Sequence, residues 1–569
     1  MSGRVSFICN DVAVVVDVAA DESLLSVLRE RLGILSPKDG CAPQGQCGCC
    51  TVLVDGSARV ACVTPALRVA GRAITTLEGL EPERRDHLAS AFVASGGSQC
   101  GFCTPGIVMR AAALLTNGPP AQAALDRALA AHLCRCTGWQ TIYEAIEGVG
   151  TAARPERDFD VASARAALEG GVAQRVASDV PLGAGSFSDD CAPRNALVAV
   201  PASSDTGAGS EAAAGLRWVL APSLHEARTR AAKVQGRRTT IDERPPLPLP
   251  EEPRGGVRLA TSWVEPAYLE PDASWCEPGG EPASPLANGG AFGGKEASPV
   301  PEAARELANR HGRAVRVVFA REDVVRLGPK RPPIAASAVC NGSNVTVRGV
   351  VAGDASAFLT PIDWPYALSV DEHWTSTEVP GPPTASHLRA VGLAERAVLV
   401  EGALHEAGVE RHALLRDDRA GAVLLDTCVA GWGGAVAGAR VNIANDTGAV
   451  TGIEARVAAG DPLDDVVLRS YAIGASHMAL GWLLTEALAV APDGEVRDLT
   501  IRSFGIVRAK DTPPITVTIL DEPGPPLPRS SDAVFAAVAS ALWNALARNG
   551  GRPDSFPARG TRAARALRR

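Results

Sequence analysis

Ten of the fourteen cysteines of this 569-residue chain fall before residue 137, and eight of them form two sets of four. Cys41, Cys47, Cys50 and Cys62 are spaced C-x5-C-x2-C-x11-C; Cys100, Cys103, Cys134 and Cys136 are spaced C-x2-C-x30-C-x-C. Each set has the ligand count of a [2Fe-2S] cluster, in which four thiolates complete the tetrahedra of two sulfide-bridged irons. Short spacings let a loop wrap the cluster, and the distant fourth cysteine ties that loop to another element. Two other chemistries accept four thiols. Zinc favours two C-x2-C pairs, which the C-x-C at Cys134 and Cys136 and the run Cys47-Gly48-Cys49-Cys50 match poorly. Disulfides need an oxidising compartment, and no secretory signal is visible, so the chain is expected to be cytoplasmic. Cys49 is a fifth thiol in the first loop that could stand in for a ligand; the choice of Cys50 rests on the x11 spacing to Cys62, and the sequence leaves Cys49 open as the alternative.

The length predicts several domains. Aromatics are only 4% of residues, so Val, Leu and Ala must fill the cores. A formal charge of −8 gives no footing for nucleic acid, and no apolar run is long enough to predict a membrane span.

Residues 1–80 read as a β-grasp, plant-type ferredoxin-like domain. Two hairpins turn at Asn10-Asp11 and Asp55-Gly56, a helix covers 23–32, and a last strand covers 69–76. The x5 spacing after Cys41 is one residue longer than in plant-type ferredoxins. Residues 81–155 change to helical period, with four helices over 84–95, 105–115, 121–131 and 139–149. Pro105 stands in a first turn after Cys103, and Thr137 is a candidate N-cap after Cys136. Helix N-termini offer free N–H groups and a positive dipole end to anionic thiolates. Residues 156–260 read as linker and irregular surface, apart from a helix over 223–234 capped by Ser223; the proline-rich run from Arg244 to Pro250 lies near the end. Residues 551–569 read as a basic tail without apolar periodicity.

GCAPQGQCGCCTV (residues 40–52), SQCGFCTPG (98–106) and LCRCTGWQTI (133–142) resemble the iron–sulfur portion of the xanthine dehydrogenase / aldehyde oxidoreductase family of molybdenum hydroxylases. The fold implied is α+β and multidomain: the ferredoxin-like domain, the four-helix [2Fe-2S] domain, then a mixed α/β molybdopterin-binding-like domain over 261–550. The resemblance implies two [2Fe-2S] clusters on the eight cysteines. It also implies that Gln99 and Cys136 contact a pterin. WVEPAYLEPDASW, ending at Trp275, resembles the start of the family's molybdenum-binding portion. NGGAFGGK, from Asn288 to Lys295, resembles its glycine-rich loop, which places Phe292 and Gly293 at the metal. Arg389, in the run from His387 to Gly392, resembles an arginine near substrate and pterin.

Departures accompany the matches. The portion after residue 155 is shorter than the family's, the stretch from Trp275 to the glycine loop is brief, and the glutamine-rich phosphate-gripping stretch is missing. The catalytic glycine–glutamate motif has no clear copy. The nearest carboxylate is Glu522, in Asp521-Glu522-Pro523-Gly524, a composition that also makes a plain acidic turn. No flavin domain is expected. Two functions follow. One is molybdenum-dependent hydroxylation of an aldehyde or N-heterocycle, its electrons leaving through the cluster pair. The other is an electron-transfer subunit whose large domain, free of molybdopterin, docks a catalytic or flavin-bearing partner.

Overall fold

The computed structural model describes residues 2–567 apart from 119, 151–156, 203–208, 233–243, 357–360, 366–367, 386–387, 389 and 410–424. Strands Ser2–Cys9 and Val12–Ala19 form the first hairpin, with Asn10 and Asp11 both left-handed at its turn. The first strand also pairs in parallel with Ala73–Thr75, which pairs with Thr51–Val54, itself in a hairpin with Ser57–Val60. Ser23 caps a short helix, Leu24–Ser26, which continues as a wider turn over Val27–Arg31 and buries Leu24, Leu25, Val27 and Leu28 against the sheet.

Helices Pro82–Ser95, Thr104–Leu114, Gln122–Leu129 and Gln140–Glu147 follow. Thr137 does not cap the last of them: Trp139 holds that position with φ 70°, and the Thr137 hydroxyl contacts Cys134 Sγ instead.

The reading of 156–260 as linker is corrected by the structure. Helix Phe159–Gly170 is capped by Asp158, whose carboxylate accepts the amides of Asp160 and Val161, and it ends at left-handed Gly171. Strands Leu197–Pro201, Glu211–Ala213 and Leu216–Ala221 join Ala273–Cys276 and Val315–Val318 in one five-stranded sheet. Helix Leu224–Arg230, capped by Ser223, packs on that sheet. The terminal segment is also corrected. Ser555–Phe556 pairs with Ala260 and Thr261, and the Phe556 ring lies 5.1 Å from that of Trp482 and 5.9 Å from that of Trp543. Helix Arg562–Ala566 buries Ala563 and Ala564.

The large unit places helices Val391–Glu406, Asp465–Leu484 and Ser530–Arg548 in one core with two sheets. One sheet runs Ser369–Thr377, Asn344–Ala352, Ile334–Asn341, Gly256–Thr261, Ser555–Phe556; the other runs Thr427–Ala430, Val436–Ile443, Val450–Ala458, Ile515–Ile519. These helices are apolar on nearly every face, as helices enclosed by other elements must be. No helix among the described residues is long and apolar enough to cross a membrane.

Candidate iron–sulfur and cofactor site

The first loop brings its thiols together beneath the β-grasp sheet. Cys41 contacts Cys47 and Cys62, and Cys62 contacts Cys50. Cys41 Sγ accepts the amides of Gln44 at 3.3 Å and Gln46 at 3.5 Å, and Cys50 Sγ accepts that of Cys62 at 3.4 Å. Amides aimed at sulfur stabilise thiolate, and such bonds tune cluster potential. Contacts with Cys47 and Cys62 hold the Cys41 thiol well below its ordinary range. Cys49 contacts Cys47 and lies near Cys41 and Cys50, and also near Cys134 and Cys103 of the other set.

In the second set Cys100 and Cys136 lie 3.6 Å apart, Sγ to Sγ, and Cys103 contacts Cys134. Cys103 occupies the N-cap of Thr104–Leu114, so the positive end of that helix's dipole lies beside the second set's thiols. The Cys103 contact, helped by the Thr137 hydroxyl at 3.1 Å, lowers the Cys134 thiol to about 6. Among the described residues no three Cys, His, Asp or Glu side chains converge as ligands of a single ion would. The first set's thiols touch in a line, Cys47–Cys41–Cys62–Cys50, and the second set's in two pairs, so each set offers four thiolates to two irons.

Backbone joins the two sets directly. The amide of Leu133, the neighbour of Cys134, donates to the carbonyl of Cys47 at 2.9 Å. Gly106 lies on the first loop so closely that a Cβ there would stand 2.3 Å from the Gly48 carbonyl oxygen. His132 covers the same loop, its Nε2 3.1 Å from Thr51 Oγ1; burial pushes its imidazole down to about 4, so it is neutral at pH 7.

The glycine loop of the large unit presses on the second set. Asn288, Gly289, Gly290, Phe292 and Gly293 are all left-handed, and a Cβ on Gly290 would stand 2.8 Å from Cys100 Cβ. Asn288 Nδ2 donates to the Cys100 carbonyl. Gln99 Nε2 donates to the Cys136 carbonyl at 3.1 Å and to Ser470 Oγ at 2.9 Å. Gln99, Cys136, Phe292 and Gly293 line one cavity. Arg389 lies outside the described residues. Glu522 is exposed and does not line that cavity.

The carboxylates that do line it are Asp532, Glu169 and Glu296. Glu169 reaches the N-terminus of Ser530–Arg548 and accepts the amides of Ser530 at 3.3 Å and Ser531 at 2.9 Å, while pairing with buried Arg165. Asp532 is pushed up to about 7 by burial and then by Glu169, with Arg529 opposing. Asp532 could have been noticed as an acid in the first turn of a buried helix. Glu169 gave no signal, because its helix falls in the stretch read as linker.

The ionised form of Asp532 is disfavoured in the folded chain, so its deprotonation costs stability as pH rises from the unfolded value near 4 to about 7. Asp532→Asn removes that cost. Its Tm should exceed the wild type's by a few degrees at pH 8 and match it at pH 4, in parallel thermal melts.

The thiol sets fit two [2Fe-2S] clusters. The cavity beside the second set is tight for a molybdopterin. Its volume is about 100 Å³, well under the roughly 300–1,000 Å³ of small-molecule sites. Among its described lining residues three carboxylates face one guanidinium, Arg529, and the helix N-terminus that suits a phosphate is already capped by Glu169.

A family model described as a [2Fe-2S] binding domain matches residues 76–147. The xanthine dehydrogenase iron-sulfur-binding subunit of Escherichia coli is 44% identical over 127 residues, 22% of this chain and 79% of that protein. The nicotinate dehydrogenase small FeS subunit of Eubacterium barkeri is 39% identical over 128 residues, 22% of this chain and 81% of that one. Aldehyde oxidoreductase of Megalodesulfovibrio gigas is 42% identical over 151 residues, 25% of this chain; the match spans only 16% of that protein's length. Over the whole chain, the solved aldehyde oxidoreductase from Desulfovibrio gigas superposes with a TM-score of 0.68 at 16% identity, covering 100% of both chains, a likeness of fold. Cysteine loops matched this densely, set in this architecture, define an iron–sulfur oxidoreductase class. The chain belongs to the xanthine dehydrogenase / aldehyde oxidoreductase family of molybdenum hydroxylases.

Proposed function

We propose that this chain is an oxidoreductase that relays single electrons through two [2Fe-2S] clusters, one on Cys41, Cys47, Cys50 and Cys62, the other on Cys100, Cys103, Cys134 and Cys136. The observation that carries the reading is the Leu133–Cys47 hydrogen bond, which runs between the two sets. Electrons enter at the second set, beside the cavity lined by Cys136, and leave from the first. The small, acidic cavity favours a large domain that works without molybdopterin and docks a catalytic or flavin-bearing partner.

The second reading is hydroxylation of an aldehyde or N-heterocycle on a molybdenum cofactor. Gln99, Phe292 and Asp532 around one cavity favour it, with Asp532 in the place of the base. Anaerobic purification with iron, sulfide and molybdenum analysis tests both. The relay predicts about four irons per chain and negligible molybdenum. Molybdenum near one per chain selects the second reading. A colourless product, without iron or sulfide even after reconstitution, ends both.

A further inference from the structure

A larger cleft, about 640 Å³, opens between the β-grasp unit and helix Leu224–Arg230. It reaches a ligand of the first set, Cys62, and that ligand's neighbour Val63, which is 49% exposed. Ala42 and Pro43, from the lengthened C-x5-C loop, and Leu25 and Leu224 extend this apolar wall. The volume falls within the range of small-molecule sites.

The charges around the cleft select its ligand. Its lining arginines already hold carboxylates: Arg29 pairs with Asp189 and Asp190, each at 2.8 Å, and Arg228 with Asp39 at 2.8 Å. Of the other lining carboxylates Glu30 is held by Arg316 at 3.0 Å and Asp21 lies 3.5 Å from His225; with Glu322 beside them, and both lining arginines already paired, the described lining opposes a phosphate-bearing flavin. Arg228 Nε and Asp39 Oδ1 are buried behind the wall without a hydrogen-bond partner.

We infer that this cleft binds an uncharged planar acceptor of the quinone class, which takes electrons from the first cluster through Cys62. The inference rests on the relay reading. With a [2Fe-2S] cluster held by Cys41, Cys47, Cys50 and Cys62, the site would supply two electrons one at a time, and the quinone, taking up two protons from solvent, would leave as hydroquinone.

The test is stopped-flow reoxidation of the dithionite-reduced, desalted chain by 2,3-dimethoxy-5-methyl-1,4-benzoquinone, followed by recovery of visible cluster absorbance. The rate should saturate with quinone. Thr229→Trp, which fills the cleft from its helix side, should slow reoxidation about tenfold or more at subsaturating quinone, with both EPR signals unchanged. Val63→Trp should do the same from the cluster side. A rate that rises linearly and is equal in all three proteins overturns the inference, as does saturation by FMN at lower concentration than by the quinone. Protein that contains no iron fails before mixing, and that outcome overturns the relay reading instead.

Discussion

Replacing Cys103 by serine is expected to erase one of two EPR signals of the dithionite-reduced protein and to leave the other. Cys103 contacts Cys134 within the second set and has no counterpart in the first, whose four thiols are joined through Cys41 and Cys62. Serine supplies a harder, far less acidic oxygen where soft ferric iron takes thiolate. It leaves the N-cap of Thr104–Leu114 able to form, so the helix survives while the cluster does not. Iron should drop from about four to about two per chain. The surviving signal should sharpen, because Gly106 and Leu133 hold the two sets close enough for their spins to interact. Cys49→Ala is the contrast: Cys50, not Cys49, meets Cys62, so both signals should persist. Loss of both signals in Cys103→Ser would show that the sets do not form independently.

The thiol sets were legible because ligand number and spacing are local properties, and the hairpin turns at Asn10-Asp11 and Asp55-Gly56 are written in adjacent residues. What escaped depends on distant partners. Strand Leu197–Pro201 is short and alanine-containing, and its parallel partner, Val315–Val318, comes more than a hundred residues later. Phe556 is a single aromatic in an arginine-rich stretch, and only the Trp482 and Trp543 rings around it make it core. The glycine loop was recognisable from Asn288 to Lys295, but the cavity beside it was not. Its volume and its acidity come from Glu169, Asp532 and Glu296, which lie on three separate segments. Choosing Glu522 as the nearest carboxylate followed sequence pattern, whereas Asp532 reaches the cavity because a buried helix begins there.

Breaking the Arg135–Glu486 pair should have the largest effect on how the iron–sulfur portion is held to the rest of the chain. Arg135 lies between Cys134 and Cys136 and makes two bonds to the Glu486 carboxylate, at 2.6 and 2.8 Å, while its Nε donates to the Pro266 carbonyl at 3.0 Å. Both side chains are only 1% exposed. Burial pushes the Glu486 carboxyl up, and Arg135 is the largest of the groups opposing that shift. Gly481 leaves the room for this geometry, since a Cβ there would stand 2.3 Å from Glu486 Oε1. Arg135→Met strands a carboxylate in the interior, at a cost of roughly 3–5 kcal/mol. The double variant Arg135→Met/Glu486→Leu removes both charges and should recover most of that loss, because the pair's attraction largely offsets its own desolvation. Denaturant melts of the four proteins of this cycle measure the coupling. EPR of the second cluster gives an independent readout: its signal should weaken in Arg135→Met and return in the double variant. Equal damage in the single and double variants would mean that Arg135 acts through the Pro266 carbonyl and not through Glu486.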